Sequence, residues 1–74
     1  AGGANGKIQP GDAPINVNAA TAEQLMRLPG IGPVTAQKII EARAEKPFRS
    51  VADLDRVKGI GPKTLDKIRP FVVV

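Results

Sequence analysis

The chain has 74 residues, with eleven Lys and Arg against seven Asp and Glu, a formal charge of +4, and neither Cys nor His. That length bounds it to one domain with a small core, burying about 60% of the surface that the unfolded chain exposes. The missing residue types remove disulfides, thiolate chemistry, cysteine zinc sites and the usual general base near neutral pH, while the cationic excess suits a polyanionic partner.

The chain opens Ala1-Gly2-Gly3-Ala4-Asn5-Gly6, with no initiator Met and no charged-then-apolar order of a signal peptide. It therefore reads as a fragment or a processed form, and an anchor upstream would not be seen. No stretch reaches the roughly 20 apolar residues of a membrane span. Residues 1–14 hold four Gly and two Pro without an apolar period, the composition of a flexible linker. The folded domain is expected over residues 15–74, with apolar content beginning at Ile15 and Val17.

From Thr21 the period turns helical. "TAEQ" spells a capping box, with Thr21 as N-cap and Gln24 at the third helical position. Leu25 and Leu28 share one face, and Pro29-Gly30 ends the helix. Pro33 opens the next helix, since its missing N–H has no intrahelical partner at the first position. Ala36, Ile39, Ile40 and Arg43 follow at helical spacing until "EKPFRS" breaks the run. Ser50 to Asp53 repeats the capping start, and Val51, Leu54 and Val57 form an apolar stripe. After Lys58-Gly59-Ile60-Gly61, Pro62 opens a last helix with Leu65 and Ile68 inward, up to Pro70 and the "FVVV" tail. The expectation is an all-α fold of four short helices in two pairs, over about 21–45 and 50–70. A strand is signalled, if anywhere, only in that tail.

The two pairs align at an offset of 29: nine of the fifteen residues in 25–39 recur identically in 54–68. Gly-Ile-Gly-Pro appears in both, with Thr three residues and Lys six residues past the second Gly. This is an internal duplication. In such a turn the first Gly allows a left-handed cap, and the second removes a Cβ from the approach to the next helix. Ile31 and Ile60 are expected to plug the gap between paired helices. The N–H groups of residues 34, 35, 63 and 64 stay unpaired at a positive helix end. Thr35 and Thr64 add hydroxyls, and Lys38 and Lys67 lie one turn further on the same side. A single Gly-x-Gly turn would be read as a helical hairpin and nothing more; two copies with Thr and Lys carried along point to phosphate.

"LPGIGPVTAQKI", beginning at Leu28, resembles the helix-hairpin-helix motif through Leu25, Leu28, Gly30, Ile31, Gly32, Ala36 and Ile39. The second copy matches through Leu54, Val57, Gly59, Ile60, Gly61 and Ile68, and departs at Leu65, where the pattern prefers Ala. The stretch from "INVNAATAEQLMRLPGIG" to "VKGIGPKTLDKIRPFV" is similar to the C-terminal DNA-binding domain of ComEA-type competence proteins. This resemblance implies a tandem helix-hairpin-helix domain with pseudo-two-fold symmetry that grips double-stranded DNA without sequence preference. The implied DNA-binding set is Gly30, Ile31, Gly32, Val34, Thr35 and Lys38 in the first hairpin, and Gly59, Ile60, Gly61, Lys63, Thr64 and Lys67 in the second. Val34 stands opposite Lys63, so the first hairpin is the weaker electrostatically. The family places such domains outside the cytoplasmic membrane behind an N-terminal anchor, receiving DNA during natural transformation, with other DNA-uptake proteins as further partners. No cofactor and no small-molecule substrate are expected; a monovalent cation at the hairpin carbonyls occurs in the wider motif class and has no support in these residues.

The residues favour the same reading. Two related hairpins match the two-fold relation between duplex strands. Phe48 and Phe71 are the only aromatics and are assigned to the core, leaving no platform for stacking single-stranded bases. Catalysis is the rival of a different class, but Glu23, Glu41, Glu45, Asp53, Asp55 and Asp66 fall on exposed faces or caps, and so small a chain is expected to lack a pocket of about 300 Å³. The remaining alternative is a DNA-binding or protein-interaction module of a DNA repair protein, with "FVVV" as an apolar patch.

Overall fold

In the computed structural model, which describes residue 8 and residues 11–74, "TAEQ" forms the capping box its spelling predicts. Gln24 N donates to Thr21 Oγ1 at 3.2 Å, and Thr21 N donates to Gln24 Oε1 at 2.9 Å. Helix α1 (Ala22–Leu25) lasts a single turn. The chain then tightens, with Arg27 N on Gln24 O and Leu28 N on Leu25 O, both at 3.1 Å. Helix α2 (Pro33–Glu45) opens on its proline. It stops at Lys46, whose backbone is extended, as the residue before Pro47 prefers.

The second copy departs in detail. Ser50 Oγ accepts from Asp53 N at 3.3 Å, but Val51–Arg56 winds as a 3-10 helix rather than an α-helix. Residues three apart eclipse one another in a 3-10 helix. Asp53 therefore sits against Arg56, with an N–O distance of 2.6 Å, and also accepts from Arg49 N at 3.2 Å. Helix α3 (Pro62–Ile68) follows, and a short 3-10 turn (Arg69–Phe71) leads into the tail.

The tail is a strand after all. Strand β2 (Val72–Val73) pairs in parallel with β1 (Ile15–Asn16), placing Ile15 opposite Val72 and Asn16 opposite Val73. Val17 N extends the ladder to Val73 O at 3.0 Å. β1 is absent from the sequence reading because two paired residues are too few to show alternation.

Both copies feed one core. Leu25, Leu28, Ile31 and Ile39 of the first and Leu54 and Ile68 of the second are fully buried, with Ile60 close to it. Each such side chain contributes about 1.5–3 kcal/mol relative to its exposed state. Ile31 and Ile60 are both buried in this core. Leu65 is buried where the first copy has the smaller Ala36. Phe48 is buried and Phe71 partly so.

Packing begins before residue 15. Ile8 is buried, and its amide donates to Arg27 O at 3.0 Å; residues 1–7, 9 and 10 of the expected linker lie outside the described residues. Two polar side chains tie the segment after β1 to α2 and the loop that follows it. Asn18 Nδ2 donates to Phe48 O at 3.0 Å while Phe48 N donates to Asn18 Oδ1 at 2.8 Å. Arg43, read from sequence only as part of a helix face, donates Nη1 to Val17 O at 3.1 Å and Ala20 O at 2.6 Å.

Candidate nucleic-acid interface

The two Gly-Ile-Gly-Pro turns fold alike. Gly30 and Gly59 have φ of +80° and +102°, a region costing other residues about 1–2 kcal/mol. Ile31 N then donates to Leu28 O at 3.2 Å and Ile60 N to Val57 O at 3.0 Å. These two isoleucines, both in the expected binding set, thus have side chain and amide committed inside the protein. The turn bond and the core claim these two groups of each isoleucine.

Gly32 and Gly61 are the N-caps of α2 and α3, in extended conformations at φ −97°, ψ −174° and φ −95°, ψ −179°. Any residue adopts that backbone, and a Cβ built on either glycine would meet nothing within 4 Å. The sequence reading placed them there partly to let the chain reach the next helix; the fold makes no such demand. Just beyond, the amides of Val34, Thr35, Lys63 and Thr64 find no backbone acceptor among the described residues. The first bonded amides are Ala36 N, on Gly32 O, and Leu65 N, on Gly61 O, both at 2.9 Å. Each turn therefore presents a bare approach to two free donors at a positive helix end.

The side chains around these donors differ between copies. Lys63 and Lys67 are exposed and Lys38 half-buried. Val34, at the position of Lys63, is 69% exposed. Lys58, which the sequence reading passed over, is exposed immediately before Gly59, where the first copy has Pro29. Its adjacency to the glycine was the available signal. The second hairpin thus offers three ammonium groups and the first offers Lys38. Thr35 and Thr64, expected to present hydroxyls outward, are half-buried where the two hairpins meet.

The arginines shared by the repeat are engaged by groups of the protein itself. Arg27 pairs with Asp12 at 3.2 Å. Arg56 bonds Asp53, donates to Ala42 O at 3.3 Å and to Lys46 O, and lies 4.5 Å from the centre of the Phe48 ring. Of the acids weighed for catalysis, Glu23, Glu41, Glu45, Asp55 and Asp66 are exposed, and Asp53 is held by Arg56. No three acids converge as a metal site among the described residues. The size argument against a hollow needs correction, because a groove of about 440 Å³ runs beside β1 between Pro14 and Arg27. No carboxylate among the described residues lines it.

Paired helices, a glycine turn and its duplication define a class, and the comparisons agree. The model of the helix-hairpin-helix motif matches residues 12–73, so the chain belongs to the helix-hairpin-helix family. Over 61 residues it is 39% identical to ComE operon protein 1 of Bacillus subtilis (strain 168), covering 81% of this chain and 30% of that protein. Over 63 residues it is 41% identical to Endonuclease/exonuclease/phosphatase family domain-containing protein 1 of Xenopus laevis, covering 84% of this chain and 11% of that protein. A shorter match, 46% over 39 residues, joins 53% of the chain to 3% of DNA polymerase III PolC-type of Staphylococcus epidermidis. The chain spans less than a third of the length of each of these relatives.

Proposed function

We propose that the chain binds double-stranded DNA without sequence preference, holding phosphates of the two strands at its two hairpins. The observation that carries this reading is Gly32 with Gly61. Glycine recurs at two N-caps where the fold would accept another residue, and each opens onto two unpaired amides. A phosphate oxygen is the ligand that such an approach fits. Amides, lysines and a helix end read charge and not base edges, which is why sequence preference is not expected.

The net charge of +4 supports a polyanionic partner. The burial of Phe48 and partial burial of Phe71, the only aromatics, leaves no stacking platform for single strands. Most of the chain recurs, over 61 and 63 residues, in two relatives of otherwise unlike name, as befits a binding module instead of a catalytic centre.

The process we assign is DNA uptake in natural transformation, with the domain on the outer side of the cytoplasmic membrane. Its support is the likeness to ComE operon protein 1 over 81% of the chain. No helix among the described residues is long and apolar enough to cross a membrane, and the assignment covers a membrane-anchored or a secreted protein. The likeness to the endonuclease/exonuclease/phosphatase protein favours a second reading, the same duplex-binding module serving DNA repair.

Binding of a labelled duplex followed across salt tests the common part. Neutralising four to six phosphates gives a slope of log K against log salt of about −4 to −5. Equal affinity for unrelated duplexes is expected; a slope near zero, or strong discrimination between sequences, would refute it. Deleting the gene separates the two processes: lost transformation supports uptake, and damage sensitivity with normal transformation supports repair.

A further inference from the structure

The seam between the hairpins holds one glycine–threonine contact made twice. A Cβ on Gly30 would lie 3.7 Å from Thr64 Cγ2, and a Cβ on Gly59 would lie 3.3 Å from Thr35 Oγ1 and 3.8 Å from its Cγ2. Nothing else beyond the chain neighbours comes within 4 Å of either position. Each threonine, at the third position of its helix, thus reaches into the notch left by the glycine of the opposite turn. The missing Cβ at Gly30 and Gly59 serves two purposes: it permits the positive φ, and it admits the threonine of the other copy.

We propose that Thr35 and Thr64 are positioning residues. Their branched side chains fix the spacing and tilt between the two hairpins, and they do not act as hydroxyl ligands of phosphate. This rests on the duplex-binding reading above. Threonine suits the role because two heavy atoms on Cβ leave it stiff about χ1, so it transmits the position of one turn to the other. Serine would keep the hydroxyl and lose the methyl, which at Thr64 is the atom facing Gly30; at Thr35 the hydroxyl is the nearer atom to Gly59, and valine would put a methyl of the same shape in its place. The spacing matters because two hairpins engage both strands together only when held at the separation of the strands. A second contact made within an already bound complex multiplies affinity only when geometry allows both at once.

The two roles predict opposite rankings. The Thr35→Val, Thr64→Val pair and the Thr35→Ser, Thr64→Ser pair are compared with wild type for duplex and single-strand Kd at one salt concentration. Circular dichroism melts report folding, and Thr64→Ser alone replaces the Ser pair if that pair does not fold. The Val pair is expected to keep the wild-type ratio of duplex to single-strand affinity. Loss of positioning in the Ser pair lowers that ratio about tenfold with little change for single strands. If the folded Ser variant binds duplex as well as the Val pair, or better, the positioning role is overturned. A wild-type protein that binds no duplex overturns the underlying reading instead.

Discussion

Replacing Gly32 and Gly61 together by Ala separates binding from folding. At an N-cap, Ala is poorer than Gly by about 0.5–1 kcal/mol. Removing glycine's freedom from the unfolded chain restores about 0.4–1 kcal/mol at a position whose backbone any residue adopts. Both glycines have extended backbones and open space at Cβ, so the two effects nearly cancel and the melting temperature should barely move. Binding behaves otherwise. Each new methyl stands at the approach to the amides of one helix start, where a hydrogen bond to a charged group contributes about 1.5–3 kcal/mol. Losing one such bond per hairpin weakens duplex binding about tenfold each, so about 100-fold for the pair. The control is Gly30→Ala, which must adopt φ of +80° at about 1–2 kcal/mol, lowering the melting temperature by at least about 4 °C. Circular dichroism melts and fluorescence anisotropy with a labelled duplex read both quantities. The reasoning is refuted if the Gly32/Gly61 variant binds duplex like wild type, or melts as early as Gly30→Ala.

The remaining predictions concern the asymmetry of the copies and the tie between Asn18 and Phe48. Lys63→Glu with Lys67→Glu should weaken duplex binding more than Lys38→Glu, with helicity unchanged since both residues are exposed; equal losses in a titration of the two variants would count against the dominance of the second hairpin. Val34→Lys should raise duplex affinity and steepen the salt slope by about 0.9, the increment for one more phosphate contact; an unchanged slope would place Val34 away from the backbone. Asn18→Ala leaves the Phe48 N–H and C=O without their partner and should cost about 1–3 kcal/mol in urea denaturation, with affinity of the folded protein unchanged.

What the sequence disclosed, and what it withheld, divides by range. The Thr21–Gln24 capping box, the prolines at the starts of α2 and α3, and the inward placement of Leu25, Leu54 and Ile68 depend on neighbours a few residues away. All were legible. The duplication made the two turns visible as a pair. The parallel pairing of β1 with β2 was hidden because it joins residues 57 apart in register through two-residue strands. The 3-10 winding of Val51–Arg56 was hidden because a capping pattern marks where a helix starts and does not specify how it winds. At the candidate site, glycine spacing located the turns, but which glycine served the backbone required φ values. The threonines are the sharper lesson: their spacing from Gly32 and Gly61 suggested outward hydroxyls, whereas their neighbours come from the other copy, 24 residues away for Thr35 and 34 for Thr64.

The central claim is that phosphates are held by the free amides of both hairpins. Titrating the isotopically labelled protein with a short duplex, and following each backbone N–H by NMR, tests it most directly. The account predicts that the amides of Gly32, Val34, Thr35, Gly61, Lys63 and Thr64 shift together and saturate at one duplex concentration, while Ile31 and Ile60, already bonded within their turns, move less. Shifts confined to one hairpin, or gathered on β1 and the Glu41–Glu45 face of α2, would contradict it.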